Sequence, residues 1–255
     1  MCGRIAIFSE PERLARVLDA GLAAELDGLR GPRWNVAPTT EVLGVADRRS
    51  EDGGDAGGLS RVLDRYRWGL VPPWAKDPAA GARMFNARAE TVATKPSFRR
   101  AFASQRLLVP VDGFYEWQVD DRGKKHPQYF TRRDGAPMVL AGLWEWHGPF
   151  DGAGSRGAGV HAGGLLSCTV ITTSAGPDMD GVHDRMPVVL DPGAWGAWLD
   201  PDNRDRPELE AMLVGSVPGT LVHHEVDPRV GNTRNDDPSL VEPLAASTPA
   251  DPGVA

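Results

Sequence analysis

From Val42 to Val226 the chain keeps returning to one device: a short run rich in β-branched and aromatic residues, then a turn signal, then another such run. Val42 to Ala46, Val62 to Leu70, Leu107 to Val119, Gln128 to Arg132, Met138 to Trp144, Leu165 to Thr173 and Thr220 to Val226 all read this way. The 30 glycines and 22 prolines imply many turns and short elements, and with these runs a mostly β protein is predicted. Asp134 and Gly135 between two runs are a hairpin signal, which favours antiparallel neighbours. Helical patterns stay marginal. Ser9 to Glu12 reads as a capping box ahead of Leu14, Val17, Leu18 and Leu22 at helical spacing, and shorter patterns recur at Pro192 to Leu199 and Pro207 to Leu213. The expected class is α+β without βαβ alternation: one compact domain over residues 2–245, mainly antiparallel β, with a few peripheral helices. Two glycine-rich inserts, 47–60 and 148–164, and a tail from 246 to 255 are expected to be mobile additions to it.

The chain has 255 residues, enough for a substantial core. Its formal net charge of -7 argues against a uniformly basic nucleic-acid coat and leaves room for a local basic groove. No apolar run approaches the roughly 20 residues of a membrane span. Ile5 to Phe8 is too short for a signal peptide, and the glycine at position 3 is misplaced for acylation. A cytoplasmic protein without membrane contact is expected. The only cysteines, Cys2 and Cys168, are far apart and lack metal-ligand spacing, so neither disulfide nor metal site is expected. No glycine motif for a phosphate cofactor is present, and no cofactor is expected. Cys168 lies in the apolar LLSCTVITT and reads as inert core.

Six stretches mix reactive polar residues with rigid aromatics and prolines: WNVAPT (34–39), RWGLVPPW (67–74), NARAET (86–91), GFYEW (113–117), HDRMPVVL (183–190) and VGNTRND (230–236). With Cys2 ahead of them, in this order, the chain resembles the SOS response-associated peptidase (SRAP) family from Cys2 to about Val241. The resemblance implies a compact, mainly β fold that binds single-stranded DNA and captures abasic sites, joining the N-terminal cysteine covalently to the opened sugar. It also implies self-removal of whatever precedes that cysteine.

The chemistry is sound on residue types alone. An opened abasic sugar exposes an aldehyde, which reacts with neutral amines. A lysine, with a reference pKa near 10.4, is almost wholly protonated at neutral pH, whereas an α-amine near 7.7 to 8.0 is substantially neutral. Once Met1 is removed, Cys2 carries such an amine beside a thiol, and the thiol can add to the imine to close a five-membered thiazolidine.

Proton traffic needs partners. Glu116 falls in the apolar and aromatic GFYEW, a setting suited to a carboxyl that exchanges protons, although a strand glutamate more often faces water. His183 opens HDRMP and is a natural proton shuttle, or else a loop residue bonded to Asp184. Asn86 offers a donor and an acceptor, for positioning or for capping a turn. The resemblance implies that Glu116 takes protons from Cys2, that His183 helps open the sugar ring, and that Asn86 holds the Cys2 amine.

DNA contact needs positive charge and stacking faces. Arg83, Arg88, Lys95, Arg99, Arg100 and Arg106 against one acid, Glu90, give residues 83–106 a charge of +5. Arg4, Arg88 and Arg185 lie inside the motifs and match family DNA-contact positions. Trp68 and Pro38 are candidates to wedge against unpaired bases, and Asn35 and Thr172 are further contact candidates. Trp144, Trp195 and Trp198 read as core. The expected partner is single-stranded DNA with abasic sites, bound by a monomer that meets the nucleoid through DNA. Two other readings stay open: a cysteine peptidase acting in trans through Cys2 and His183, and a non-covalent single-strand binder.

Overall fold

The computed structural model describes residues 2–24, 26, 28–49, 58–148, 160–161 and 164–244. In chain order the strands are β1 (Ile5–Ile7), β2 (Gly21–Leu22), β3 (Arg33–Val36), β4 (Glu41–Arg49), β5 (Leu59–Trp68), β6 (Asn86–Arg88), β7 (Arg106–Val111), β8 (Gly113–Val119), β9 (Lys125–Arg132), β10 (Met138–His147), β11 (Val160–His161), β12 (Gly164–Ser174), β13 (Arg185–Pro187) and β14 (Leu221–Glu225). The helices are short: α1 (Pro11–Val17), α2 (Ala89–Val92), α3 (Arg99–Ser104), α4 (Trp195–Leu199) and α5 (Arg206–Ala211). This is the α+β, antiparallel-rich domain expected, with helices at its margins.

Two sheets share the work. The smaller is wholly antiparallel in the order β14-β9-β8-β1-β3. In the larger, β12, β10, β7, β4 and β5 are neighbours in that order, and a parallel pairing of Ser167 and Cys168 with Arg67 and Trp68 joins β5 back to β12. The sheet thus closes on itself. β12 is its hub, pairing also with β6, β11 and β13, and ten of its eleven residues are buried. That accounts for its lack of polar alternation, since a strand paired on both edges and covered on both faces buries Ser167, Thr169, Thr172 and Thr173 along with its apolar residues.

Alternation is clean where a sheet has two different faces. Ile5, Phe114 and Phe130 turn into the main core, with the two phenylalanine rings stacked at 4.9 Å. Ala6, Tyr115 and Tyr129 turn the other way and are covered by Val226, Val230 and Leu240. Gly113 permits this second layer, because a Cβ there would lie 2.3 Å from the Tyr129 ring. Each buried phenylalanine contributes about 1.5–3 kcal/mol relative to exposure.

Several sequence expectations are corrected here. Leu107 to Val119 is not one strand: the chain breaks at Asp112, leaving β7 in the large sheet and β8 in the small one. The Ser9 capping box does not form. Glu10 is the N-cap of α1 and makes no side-chain cap, and Ser9 bonds to Asp112 instead. The helix stops at Val17, short of Leu22, which belongs to β2. Pro11 at its first turn, Glu12 beside it and Arg16 in its last turn suit the helix dipole. Within the expected insert 47–60, residues 47–49 and 59–60 are ends of β4 and β5, pinned by Arg61 Nε to Asp47 Oδ1 at 2.8 Å. In 148–164, β11 pairs with β12. Residues 50–57, 149–159 and 162–163 of the inserts and the 246–255 tail lie outside the described residues. Among the described residues, no helix is long and apolar enough to cross a membrane.

Candidate functional site

Cys2 enters the fold one step ahead of the central part of the small sheet. β1 lies between β3 and β8, and its far end is fixed by Asp112, which accepts the Phe8 and Ser9 backbone N–H groups at 2.6 and 2.7 Å. Ile5 faces Phe114, Ala6 faces Gly113, and the Tyr115 N–H donates to the Arg4 carbonyl at 2.9 Å. Running that register back toward the chain start sets Gly3 opposite Glu116, and the Glu116 carboxylate acts electrostatically on the thiol of Cys2 beside it. Cys2 and Glu116 are both buried. Burial, and then the charge of Glu116, push the Cys2 thiol well above its ordinary pKa.

Asn86 arrives from the other sheet. β6 runs parallel to β12, with Asn86 beside Val170, and the Asn86 Nδ2 donates to the Cys2 carbonyl at 2.7 Å. Its Oδ1 is buried with no hydrogen-bond partner among the described residues. An unsatisfied buried amide oxygen costs about 1–3 kcal/mol, a cost that an incoming donor would remove. The loop before β6 is held by a close approach at Gly69, whose φ of +136° only glycine adopts readily and whose missing Cβ would lie 2.6 Å from the Gly81 carbonyl oxygen.

His183 precedes β13, and its Nε2 lies 4.0 Å from Glu116 Oε2. Its Nδ1 is 2.9 Å from the Arg185 backbone N–H donor and 2.8 Å from Asp184 Oδ1. The first contact needs a lone pair on Nδ1 and the second a hydrogen there, so the two alternate: with its hydrogen on Nε2, toward Glu116, the ring accepts from Arg185, and with a hydrogen on Nδ1 it donates to Asp184. The four residues singled out for catalysis therefore converge from four separate segments.

The DNA-contact candidates divide. Arg88 is exposed, and Pro38 is half-buried on the wall of a cavity of about 330 Å³ whose lining includes Arg33, Thr39, Thr233 and Asp236. Arg4 is half-buried, donating to Asn35 Oδ1 at 2.6 Å and to the Val230 carbonyl at 2.5 Å, with its guanidinium 5.8 Å from the centre of the Trp117 ring. Arg185 pairs with Glu90 and donates to the Thr172 carbonyl at 2.6 Å.

Three candidates sit inside the protein. Trp68 is fully buried, edge-on to Phe85, and its indole N–H donates to the Phe85 carbonyl at 2.9 Å, so no face of it is open to a base. It braces the residue next to Asn86. Asn35 is buried and its amide donates to the Val230, Asn232 and Asn235 carbonyls, shaping the VGNTRND segment from within. Thr172 is buried in β12 between Arg88 and Pro187. Arg106 also leaves the basic track: it is buried and donates to the carbonyls of Phe102, Trp198, Asp200 and Asn203.

Sequence reasoning overlooked Trp74. It is 65% exposed, the most open tryptophan of RWGLVPPW, and the Pro72-Pro73 pair before it, which stiffens the turn, was the available signal. Cys168 is core, as expected. Among the described residues, no group of three or more His, Cys, Asp or Glu is placed to hold a metal ion.

Comparison with known proteins adds kinship to this geometry. A family model described as SOS response associated peptidase (SRAP) matches residues 1–233. The chain is 34% identical over 243 residues to the abasic site processing protein YoqW of Bacillus subtilis, covering 95% of this chain and 99% of that one. It is 30% identical over 247 residues to the abasic site processing protein YedK of Escherichia coli, covering 96% and 100%. The abasic site processing protein HMCES of Gallus gallus is 29% identical over 280 residues, covering 98% and 80%. In three dimensions, a crystal structure of a Bacteroides thetaiotaomicron protein superposes with a TM-score of 0.78 at 19% identity, over 95% of this chain and all of that one. A Bordetella bronchiseptica protein superposes at 0.68 with 26% identity, over 89% and 100%.

Proposed function

This chain belongs to the SOS response associated peptidase family, and from that premise we propose that it processes abasic sites in single-stranded DNA by joining Cys2 covalently to the opened sugar. The observation that carries this reading is the hydrogen bond from Asn86 to the Cys2 carbonyl, made where Glu116 and His183 also converge. Relatives of near-equal length that are named abasic site processing proteins give the substrate its class.

Removal of Met1 leaves the Cys2 α-amine free, with its own carbonyl fixed by Asn86. The neutral amine adds to the aldehyde carbon of the ring-opened sugar. Glu116 takes the proton lost by nitrogen, His183 protonates the departing oxygen, and one water leaves as the imine forms. The thiol then adds to the imine carbon, its hydrogen passing through Glu116 to the ring nitrogen, and the thiazolidine closes. Aldehyde, amine and thiol enter; thiazolidine and one water come out.

With Met1 in place, burial and then the charge of Glu116 raise the Cys2 thiol pKa, which fits a thiol that stays protonated while the amine acts first. On the DNA side, Arg88 and Arg185 take phosphates, Pro38 and Trp74 present surfaces to bases, and Asn35, Trp68 and Thr172 support them from behind.

The deciding experiment is incubation with an oligonucleotide bearing one abasic site, followed by denaturing electrophoresis and mass analysis of the N-terminal peptide. The expected product has the combined mass less one water, attached at Cys2 with Met1 absent. An adduct on a lysine, or active protein that retains Met1, would overturn the reading.

A further inference from the structure

The carboxylate of Glu90 sits among the two arginines that the proposed function sends to phosphate. β6 and β13 both pair with β12, Arg88 beside Thr172 and Arg185 beside Ser174. α2 begins directly after Arg88, and Glu90 is its second residue. From there Glu90 Oε1 pairs with Arg185 Nη1, and Oε2 accepts from Nη2 at 3.0 Å. Nη2 also donates to the Thr172 carbonyl at 2.6 Å and lies 3.4 Å from its hydroxyl. The Arg185 side chain is only 12% exposed, and its Nε is buried without a hydrogen-bond partner among the described residues. Both terminal nitrogens thus already serve protein acceptors. Glu90, by contrast, is 48% exposed at its side chain, so water can take up its carboxylate once the pair with Arg185 opens. It is also the only acid in the basic segment 83–106.

A phosphodiester and a carboxylate ask the same thing of a guanidinium, two parallel N–H donors from one fork. One fork cannot hold both, and two anions side by side repel. We propose that Glu90 is a built-in competitor, occupying the anion position on Arg185 until a backbone phosphate displaces it. This rests on the reading of Arg185 as a DNA contact and adds a regulator to it. The exchange is anion for anion: as the phosphate sheds its condensed cation, the released carboxylate regains one. Arg185 then contributes little to the salt dependence of binding while still fixing the register of the strand. Glu90 is a positioning residue that keeps affinity moderate, so that strands without a lesion are released.

The test is fluorescence anisotropy on the full chain with a labelled oligothymidylate that has no abasic site, so that Cys2 chemistry does not enter. Glu90→Gln is expected to bind about 3- to 10-fold tighter at low salt, and to steepen the slope of log Kobs against log salt by about 0.7, one extra phosphate contact on a single strand. Glu90→Ser, which also removes the charge, is expected to act alike, and Glu90→Asp to keep the parental slope. In Arg185→Ala/Glu90→Gln the gain is expected to vanish. Weaker or unchanged binding by both charge-free variants would overturn the proposal, as would a gain that survives in the double variant and so reflects general repulsion. If Arg185→Ala alone leaves affinity unchanged, the failure lies in the reading of Arg185 as a DNA contact.

Discussion

Two regions of this molecule are held together by different means. In the closed ring of β4, β5, β7, β10 and β12, backbone ladders carry the structure, and β4 and β5 alone align nine residue pairs. Around the chain start, β1, β3, β6 and β13 are three or four residues long and are tied by side chains. Asp112 holds Phe8 and Ser9, Asp236 holds Trp34 and Asn35, Asn35 holds three carbonyls, and Asn86 holds Cys2. A ladder fixes many residues roughly alike, whereas a side-chain tie fixes one group in one place. The ring supplies stability and the ties supply geometry, so damage to each should have a different signature.

The sharpest separation is expected from Cys2→Ala. It should abolish the covalent adduct entirely, yet leave affinity for undamaged single strands unchanged and stability within about 1 kcal/mol in urea unfolding. A large loss of stability would show that the chain start is structural after all. Arg106→Met tests the opposite side. Losing a buried guanidinium that serves four carbonyls is expected to cost about 2–4 kcal/mol, while the protein that remains folded reacts with abasic DNA at the parental rate.

Asn35→Ala probes the border. Releasing the Val230, Asn232 and Asn235 carbonyls and the Arg4 contact is expected to cost about 2 kcal/mol and to slow adduct formation together with it. Slower reaction with no loss of stability would return Asn35 to the DNA surface. The smallest effect belongs to Glu145, buried in β10, where burial raises its carboxyl from an ordinary 4.5 to about 6. Because the folded value exceeds the unfolded one, the neutral form is favoured by folding. This group's contribution is fully present below about 4.5 and is lost as pH rises through about 6. Glu145→Gln is therefore expected to stabilise the protein by roughly 1–2 kcal/mol at pH 7, to flatten unfolding between pH 4.5 and 6, and to leave the chemistry untouched.

The same division explains what could be read in advance. Runs such as Met138 to Trp144 and Leu165 to Thr173 are long enough for their composition to declare a strand, and β10 and β12 form there. The site strands are not. Three residues at Asn86–Arg88 or Arg185–Pro187 show no periodicity, and their places depend on partners more than eighty residues away or on one turn. Those segments were legible only as chemistry, through the residue types of NARAET and HDRMP. Burial was the hardest property to foresee. Trp68 and Trp74 share one motif, and only the Pro72-Pro73 pair before Trp74 marks off the one in the open from the one beneath Phe85. Arg106 looks like any other cation of its segment until the carbonyl cluster that encloses it has been built by residues 198 to 203.

The hub position of β12 also has a consequence in time. Its pairing with β5 joins residues about a hundred positions apart, and contacts of that span form late because the intervening chain must first be ordered. Asn86 reaches its place only by lying against β12, so the segment around Cys2 waits for one made much later. A half-folded chain accordingly holds Cys2 before Asn86 has reached it, and under the proposed function its reactivity toward aldehydes waits for the completed molecule.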